Sequence, residues 1–550
     1  LNKGEIAHPE YFYMKKLLIS IALFLFTAGI ARSQSVYQPY SYQFYQKLDA
    51  DVYSTKTRLH SSLKPFFADD SLLRFHYDSL MNYGSGTANN SSFNKLFNGH
   101  QIEVNGNNST FYTDLLPDFN IGRDFSNKKN TYLSSLGLQF GGTVGKKFSY
   151  YAAGYINRAR FAPYLATYIN QVGIVPGQAY GSYANSAHTA YDWQYITAVA
   201  SYTPNKYLNI SAGRDKTFIG DGYRSTLLSD YASPYPFLKL TATLGNVKYM
   251  AMWGYFADPA STSDLFIDRK KWGVFHYLDW NVNNRLSFGF FDSVIWANTD
   301  DQGHKRGFDA TYINPLIFLR PIEASNYSPD NALIGFTGKY KLTDGITAYG
   351  QFSLDEFEAK NFFSNKGSSR NKYGFQIGLR GANLFNIKGL NYLVETNNVK
   401  PYTYSERSSI LSYSANSEPL AHPWGANFRE VVGLLSYSYK RFDFFGELDY
   451  GHYGLDINNL NYGKDIFLSY REPAQEFGNY TGQGLTTNMV YVQGKIAYLL
   501  NPKYNLRLEL GATFRNEKNS SFLDRSTMIT FGLRSSFRNI YSDLASYKTH

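Results

Sequence analysis

The chain has 550 residues, no cysteine, 49 tyrosines, 42 phenylalanines and 45 glycines, with a formal charge of +10. The missing cysteine excludes a disulfide scaffold, thiolate metal sites and a lipid carried on cysteine. A mean hydropathy of −0.38 with 18% aromatic residues suits strands that meet lipid on one face and water on the other, not a bundle of apolar helices.

Residues 1–13 carry Lys3, Glu5 and Glu10 without an apolar pattern and read as an upstream extension. From Met14, the stretch MKKLLISIALFLFTAGIARSQS sets Lys15 and Lys16 before an apolar core, Leu17 to Ile30, and a small-x-small site at Ala31-Arg32-Ser33. That order predicts a signal peptide over 14–33, and it falls short of the roughly 20 apolar residues of a spanning helix. No later run reaches about 18 apolar residues, so the exported chain is either soluble or a barrel. Once exported, it meets lipid phosphates and acidic polysaccharide rather than nucleic acid, and the positive charge is read accordingly.

Residues 34–114 do not alternate. DSLLRFHYDSLMNYG (70–84) spaces Leu72, Leu73, Phe75, Leu80 and Met81 as a helix, with Asp70 as cap and Gly84 as stop. SSFNKLFNGH (91–100) predicts another short helix, and Tyr53 to Leu63 a third. The segment is expected on the periplasmic side, as a cap or partial plug or as a plain tether.

From about residue 115 the period is two. In YNLRLELGATF (504–514), Tyr504, Leu506, Leu508, Leu510, Ala512 and Phe514 share one face, and Arg507 and Glu509 lie on the other. RFDFFGELDYG (441–451) sets Phe442, Phe444, Leu448 and Tyr450 against Asp443, Glu447 and Asp449, and YGFQIGLRG (373–381) sets Ile377 and Leu379 against Gln376 and Arg380. Strands of about ten residues cross a bilayer at about 45° tilt. Short, mostly basic turns recur at 145–147, 204–206, 245–248, 283–285, 343–345, 387–389, 440–441 and 501–503, with a strand, a long polar loop and another strand between successive turns.

This pattern gives strands near 115–123, 133–143, 148–158, 191–203, 207–214, 237–244, 247–256, 271–281 and 286–297. It gives nine more near 332–342, 346–355, 372–382, 390–398, 427–439, 442–451, 487–500, 504–514 and 527–537. Lipid offers no hydrogen bonds, so every strand edge needs a partner and closure supplies one to all of them. The predicted fold class is all-β: a transmembrane antiparallel β-barrel of about 18 strands over 115–537. A short, partly helical periplasmic segment precedes it and a tail over 538–550 follows.

Charges inside strands are expected to face the lumen, which assigns Arg380, Asp443, Glu447, Asp449, Arg507 and Glu509 there. In NPLIFLRPIEASNYSPDN (314–331), Pro315, Pro321 and Pro329 resist pairing; the expectation is an inward fold that puts Arg320 and Glu323 at a constriction.

Long loops are predicted near 159–190, 215–236, 298–331, 399–426 and 452–486. In NQVGIVPGQAYGSYANSAHTAYDWQY (170–195), Tyr180, Tyr183, Tyr191 and Trp193 accompany Asn185 and Asp192; such a mixture stacks on sugar C–H faces and bonds hydroxyls, and equally builds an interfacial belt. RDKTFIGDGYRSTLLSD brings Arg214, Lys216 and Arg224 together with Asp215, Asp221 and Asp230. The cations suit uronate carboxylates, or the six charges pair among themselves and fix the loop. No G-x-S-x-G elbow, H-E-x-x-H or calcium-loop pattern occurs, and neither an enzyme nor a cofactor or metal is expected.

At GRDKTFIGDGYRSTLLSDYASPYPFLKL (213–240), GFDATYINPLIFLRPIEASNYSPDNALIGFTGKYKL (307–342) and HPWGANFREVVGLLSYSYK (422–440) the chain resembles the capsule-assembly Wzi family of outer-membrane proteins, in the branch found among gliding Bacteroidota. The resemblance runs from about residue 40 onward. It implies a surface lectin in the outer membrane that holds exported capsular polysaccharide, with loops at the cell surface and the N-terminus in the periplasm. The implied partners are outer-membrane lipid, lipopolysaccharide, surface polysaccharide, the barrel-insertion machinery and, through gliding relatives, motility or secretion components. Two expectations compete with it: a diffusion channel, suggested by the charged lumen, and a scaffold of a motility or secretion apparatus. Insertion machinery reads a terminal aromatic; Phe537 would close the last strand, yet about a dozen residues follow it.

Overall fold

The computed structural model describes residues 37, 39–66, 71–83, 96–258, 270–299, 304–315, 330–356 and 366–548. The upstream extension and the signal peptide lie outside them. The strands close into one 18-stranded antiparallel barrel in which sequence neighbours are spatial neighbours.

In chain order the strands are β1 Ser109–Asp124, β2 Lys129–Val144, β3 Phe148–Arg160, β4 Ala190–Asn205, β5 Leu208–Asp215 and β6 Tyr235–Leu244. They continue as β7 Val247–Ala257, β8 Lys270–Asn281, β9 Leu286–Ala297, β10 Asn331–Thr343, β11 Ile346–Glu356 and β12 Lys372–Gly381. The last six are β13 Leu390–Val399, β14 Phe428–Tyr439, β15 Phe442–Leu455, β16 Leu485–Asn501, β17 Leu506–Lys518 and β18 Leu523–Ser535. β18 closes the circuit on β1, with Phe531 opposite Ile121.

The pleat sorts side chains as the alternation requires. Ile156 is 71%, Ile377 61% and Leu448 55% exposed on the outer face, while Gln376, Arg380, Glu447 and Asp449 are buried within. An apolar surface of this extent is a liability in water and a match to lipid, so the barrel is transmembrane. At the short-turn end of β14–β16 the outer aromatics form a girdle: Tyr439, Tyr437, Phe444, Phe442 and Tyr498 contact one another in that order.

Several expectations need correcting. β1 begins at Ser109, and Ile102–Asn105 extends the sheet as a hairpin partner of its first residues. Two connections on the long-loop side are tight, 125–128 between β1 and β2 and 519–522 between β17 and β18, one strand away from the closing seam on each side. β18 stops at Ser535; Phe537 turns back and meets Phe44 edge-on at 5.6 Å. The helix expected near 53–63 is absent. Helical turns form at Tyr42–Tyr45, Gln46–Leu48 and Asp49–Val52 instead, because beyond them Ser54 and Thr57 hydroxyls bond nearby backbone groups and break the helix ladder. The helix expected over 70–84 forms at Ser71–Met81.

The segment around Pro315, Pro321 and Pro329 does not turn into the lumen as far as it is described; Arg320 and Glu323 lie outside the described residues. Residues 304–315 lie on the outer wall, where the pleat points Trp253, Trp272 and Trp296 away from the lumen. Trp253 Nε1 donates to Tyr312 O (2.8 Å) and Trp296 Nε1 to Gly307 O (3.1 Å). Satisfying two of these indoles with its backbone carbonyls, and packing Phe308 edge-on against Trp272 at 5.2 Å, gives this loop a reason to stay outside.

Candidate functional site

Inside the barrel, chain segments fill the lumen. The N-terminal segment enters from the short-turn end, where Thr55 N donates to Asp344 (2.7 Å) and Arg58 donates to Asn284 and Asn246. It then runs inward to pair Leu63–Lys64 with Phe218–Ile219 of the β5–β6 connection. That connection crosses the lumen to the far wall, where Gln376 Nε2 donates to Arg224 O (2.9 Å) and the Glu395 carboxylate accepts from the amides of Tyr223 and Arg224. From the short-turn end, residues 536–548 run back up the lumen, from Asn505 Nδ2 donating to Ser536 O to Tyr547 OH donating to Asp465 in the β15–β16 loop.

Two buried ionic centres hold these segments. At the first, Asp221 accepts from Ser62 Oγ (2.6 Å), Tyr53 OH (2.9 Å) and Ser61 Oγ, and Lys339 Nζ lies 3.7 Å away. Burial alone would raise this carboxyl; Lys339, Lys64 and the serine hydroxyls outweigh it and hold it well below the usual carboxylate range. Burial pushes the neighbouring Lys64 ammonium down to about 7 despite Asp221. Arg380 joins the same centre, paired with Asp49 at 2.6 Å. At the second centre Arg224 meets Glu430 at 3.0 Å, Asp543 at 2.7 Å and Asp449 at 3.6 Å, and His422 Nε2 lies 2.7 Å from Glu430.

The loop residues proposed as a polysaccharide site are therefore mostly interior. Asp215, Lys216, Asp221, Arg224 and Trp193 are buried and Asp230 is half-buried. Their charges pair with other elements more than with each other: Asp215 accepts from Tyr37 OH, and Lys216 Nζ donates to Gly177 O (2.7 Å) and Asp230 O (2.8 Å). Arg214 projects from the opposite face of β5, since the pleat separates it from Asp215. Tyr183 alone of the eight is exposed, stacked on His188 at 3.8 Å with 7° between the rings. Phe477 and Tyr480 of the β15–β16 loop are also exposed on the long-loop side.

Of the lumen residues, Arg380 belongs to the first centre, Glu447 and Asp449 border the second, and Asp443 pairs with Lys47 at 2.7 Å near the short-turn end. Arg507 and Glu509 open a chain of charges along the wall. Arg507 Nε meets Glu509 at 2.9 Å, Glu509 meets Arg534 at 3.3 Å, and Arg534 and Arg538 share Asp118. This chain lines a cleft between the wall of β14–β18 and the lumen segments. The cleft is made of adjoining cavities of about 170, 60 and 60 Å³ that have Gln43, Lys495 and Arg507 in common. Its outer end is roofed by the helix Pro163–Val172, which starts on Pro163 and ends where Gly173, at φ +77°, donates its amide to Ile169 O (2.7 Å). Lys495 and Arg534 lie on predicted strands at lumen-facing parity, and that parity was the signal for them. Nothing in the pattern announces Arg538, which follows the last strand.

No protein-family model and no curated protein matches the sequence. Among solved structures, Wzi of Escherichia coli, described as an outer-membrane protein involved in group 1 capsule assembly and a carbohydrate-binding β-barrel, aligns at a TM-score of 0.47 with 14% identity, over 76% of this chain and 85% of that one. OprD of Pseudomonas aeruginosa aligns at 0.42 with 8% identity, over 77% and 94%. OccAB2 of Acinetobacter baumannii aligns at 0.42 with 10% identity, over 78% and 97%. These are likenesses of general architecture, and no residue role is transferred from them.

Proposed function

We propose that this protein is a non-enzymatic outer-membrane barrel that holds or organises capsular or exopolysaccharide at the cell surface and does not conduct. The observation that carries this reading is the occupied lumen: the N-terminal segment, the β5–β6 connection and residues 536–548 cross it, held by Asp221 and Arg224. A barrel so filled has its long loops left for work. On those loops the exposed Tyr183, Phe477 and Tyr480 offer flat faces to sugar rings. Its surroundings in this role are outer-membrane lipid and lipopolysaccharide, with the long loops outside and the N-terminal segment entering the lumen from the periplasmic side. Support of gliding would follow from retained slime rather than from a motor.

The test joins two measurements on the purified protein. In a planar bilayer it is expected to be silent, and in a pull-down on surface polysaccharide it is expected to bind, with Tyr183→Ala and Tyr480→Ala reducing retention. Steady open pores without polysaccharide binding would overturn the reading. A second reading, a narrow transport passage, draws on the basic cleft beside the lumen segments, and the same conductance trace decides between the two.

A further inference from the structure

We propose that the cleft around Lys495 is a binding site for an oxyanion, a carboxylate or phosphate group carried on a hydroxyl-rich ligand. Lys495 projects from the middle of β16 toward the lumen and borders all three adjoining cavities. Its ammonium has no hydrogen-bond or ion-pair partner among the described residues and lies 5.9 Å from the Phe445 ring centroid. An ammonium among protein walls with no carboxylate in direct contact is costly, because it has given up water and feels its nearest acids, Glu509 and Glu447, only at a distance.

Glu509 and Glu447 act on Lys495 through space, opposed by Arg534 and Arg507, and neither acid reaches it in a direct pair. Along this wall four cations, Lys495, Arg507, Arg534 and Arg538, face two carboxylates, Glu509 and Asp118. The pairs on the wall are made between the arginines and those two acids, which leaves the Lys495 charge directed at the cavity. Glu447 also borders the cleft, but it is hydrogen-bonded to Asp543 beside Arg224. Arg507 borders the same space; its Nε donates to Glu509 (2.9 Å) and its Nη1 to Asn505 O and Ser536 O (3.2 Å each), which leaves Nη2 to donate to a ligand oxygen. The remaining lining mixes hydroxyl-bonding groups, Gln43, Ser436, Ser438 and Thr513, with the Lys47–Asp443 pair and apolar groups such as Leu165 and Met528.

The cleft reaches the short-turn end between Gln46–Lys47 of the N-terminal segment and Ser438–Asp443 of the wall, so the ligand enters from the side opposite the long loops. The site is thus separate from the polysaccharide surface and stands whether or not those loops hold sugar. A uronic-acid sugar and a phosphate ester share the required chemistry.

Calorimetric titration of the full-length, detergent-solubilised protein with glucuronate, inorganic phosphate and glucose tests the site. Binding of glucuronate or phosphate, with none for glucose, is expected. Tighter glucuronate points to a sugar acid as the source, and tighter phosphate to a phosphate ester. Lys495→Gln should weaken anion binding at least tenfold, Lys495→Arg should restore it, and Arg158→Gln, on the outer face, should leave it unchanged. Retention of the heat-modifiable folded band confirms that each variant is a closed barrel. Failure of both anions to bind, or equal binding by Lys495→Gln, overturns the proposal.

Discussion

At the scale of single residues, the lumen is governed by what a buried charge needs. Arg224 is 2% exposed and serves three carboxylates on three elements, β14, β15 and the segment after β18. Removing one member of such a centre leaves uncompensated charge, so Arg224→Ala is expected to cost about 3–5 kcal/mol, read as a lower melting temperature of the folded band on gels. Arg158→Ala, which breaks the exposed pair with Asp192, should leave that temperature unchanged. Lys64 makes a pH prediction. Its folded value of about 7 lies below its ordinary 10.5, so folding favours the neutral amine. The resulting stability is complete above the unfolded value and is lost as pH falls through about 7. Asp221 is already ionised across that window and adds no slope. Protection against hydrogen exchange at Leu63 and Ile219, relative to the intrinsic base-catalysed rate, should therefore rise between pH 7 and 9, and Lys64→Met should flatten the profile.

At the scale of elements, each barrel strand carries two environments a pleat apart. Leu448 is 55% exposed and sits mid-strand between buried Glu447 and Asp449. Leu448→Arg would place a charge in the lipid-facing wall and is expected to cost about 2–4 kcal/mol in folding into lipid vesicles, measured by urea titration. The alternation was legible for all eighteen strands, because a period of two with tight basic turns leaves few other readings. What it could not give was the interior of the lumen. Phe275, Tyr277 and Phe291 face inward yet form a core with Leu227 and Tyr413. The simple rule of polar residues within fails there because the lumen holds protein in place of water.

At the scale of the whole molecule, the barrel is a wall around its own connections. Residues 538–548 touch Asp118 near one end of their run and Asp465 near the other. A protein lacking them is expected to show step conductances in a planar bilayer where the full chain is silent; a truncated barrel that stays silent would refute this segment as a stopper. The candidate sites divide along the same line. Lys495 and Arg507 could be placed from strand parity, but their cleft exists only because Gln43 and Arg538 arrive from opposite ends of the sequence. Arg224 and Asp221 stood out as a charged loop cluster, and their burial was invisible because their partners lie more than 100 positions away. The sequence by itself determined the closed, lipid-facing barrel, since hydrogen-bond closure and pleat parity are local rules repeated strand by strand. Only the tertiary structure decided that the lumen is filled, since that depends on which distant charges find one another once water has been excluded.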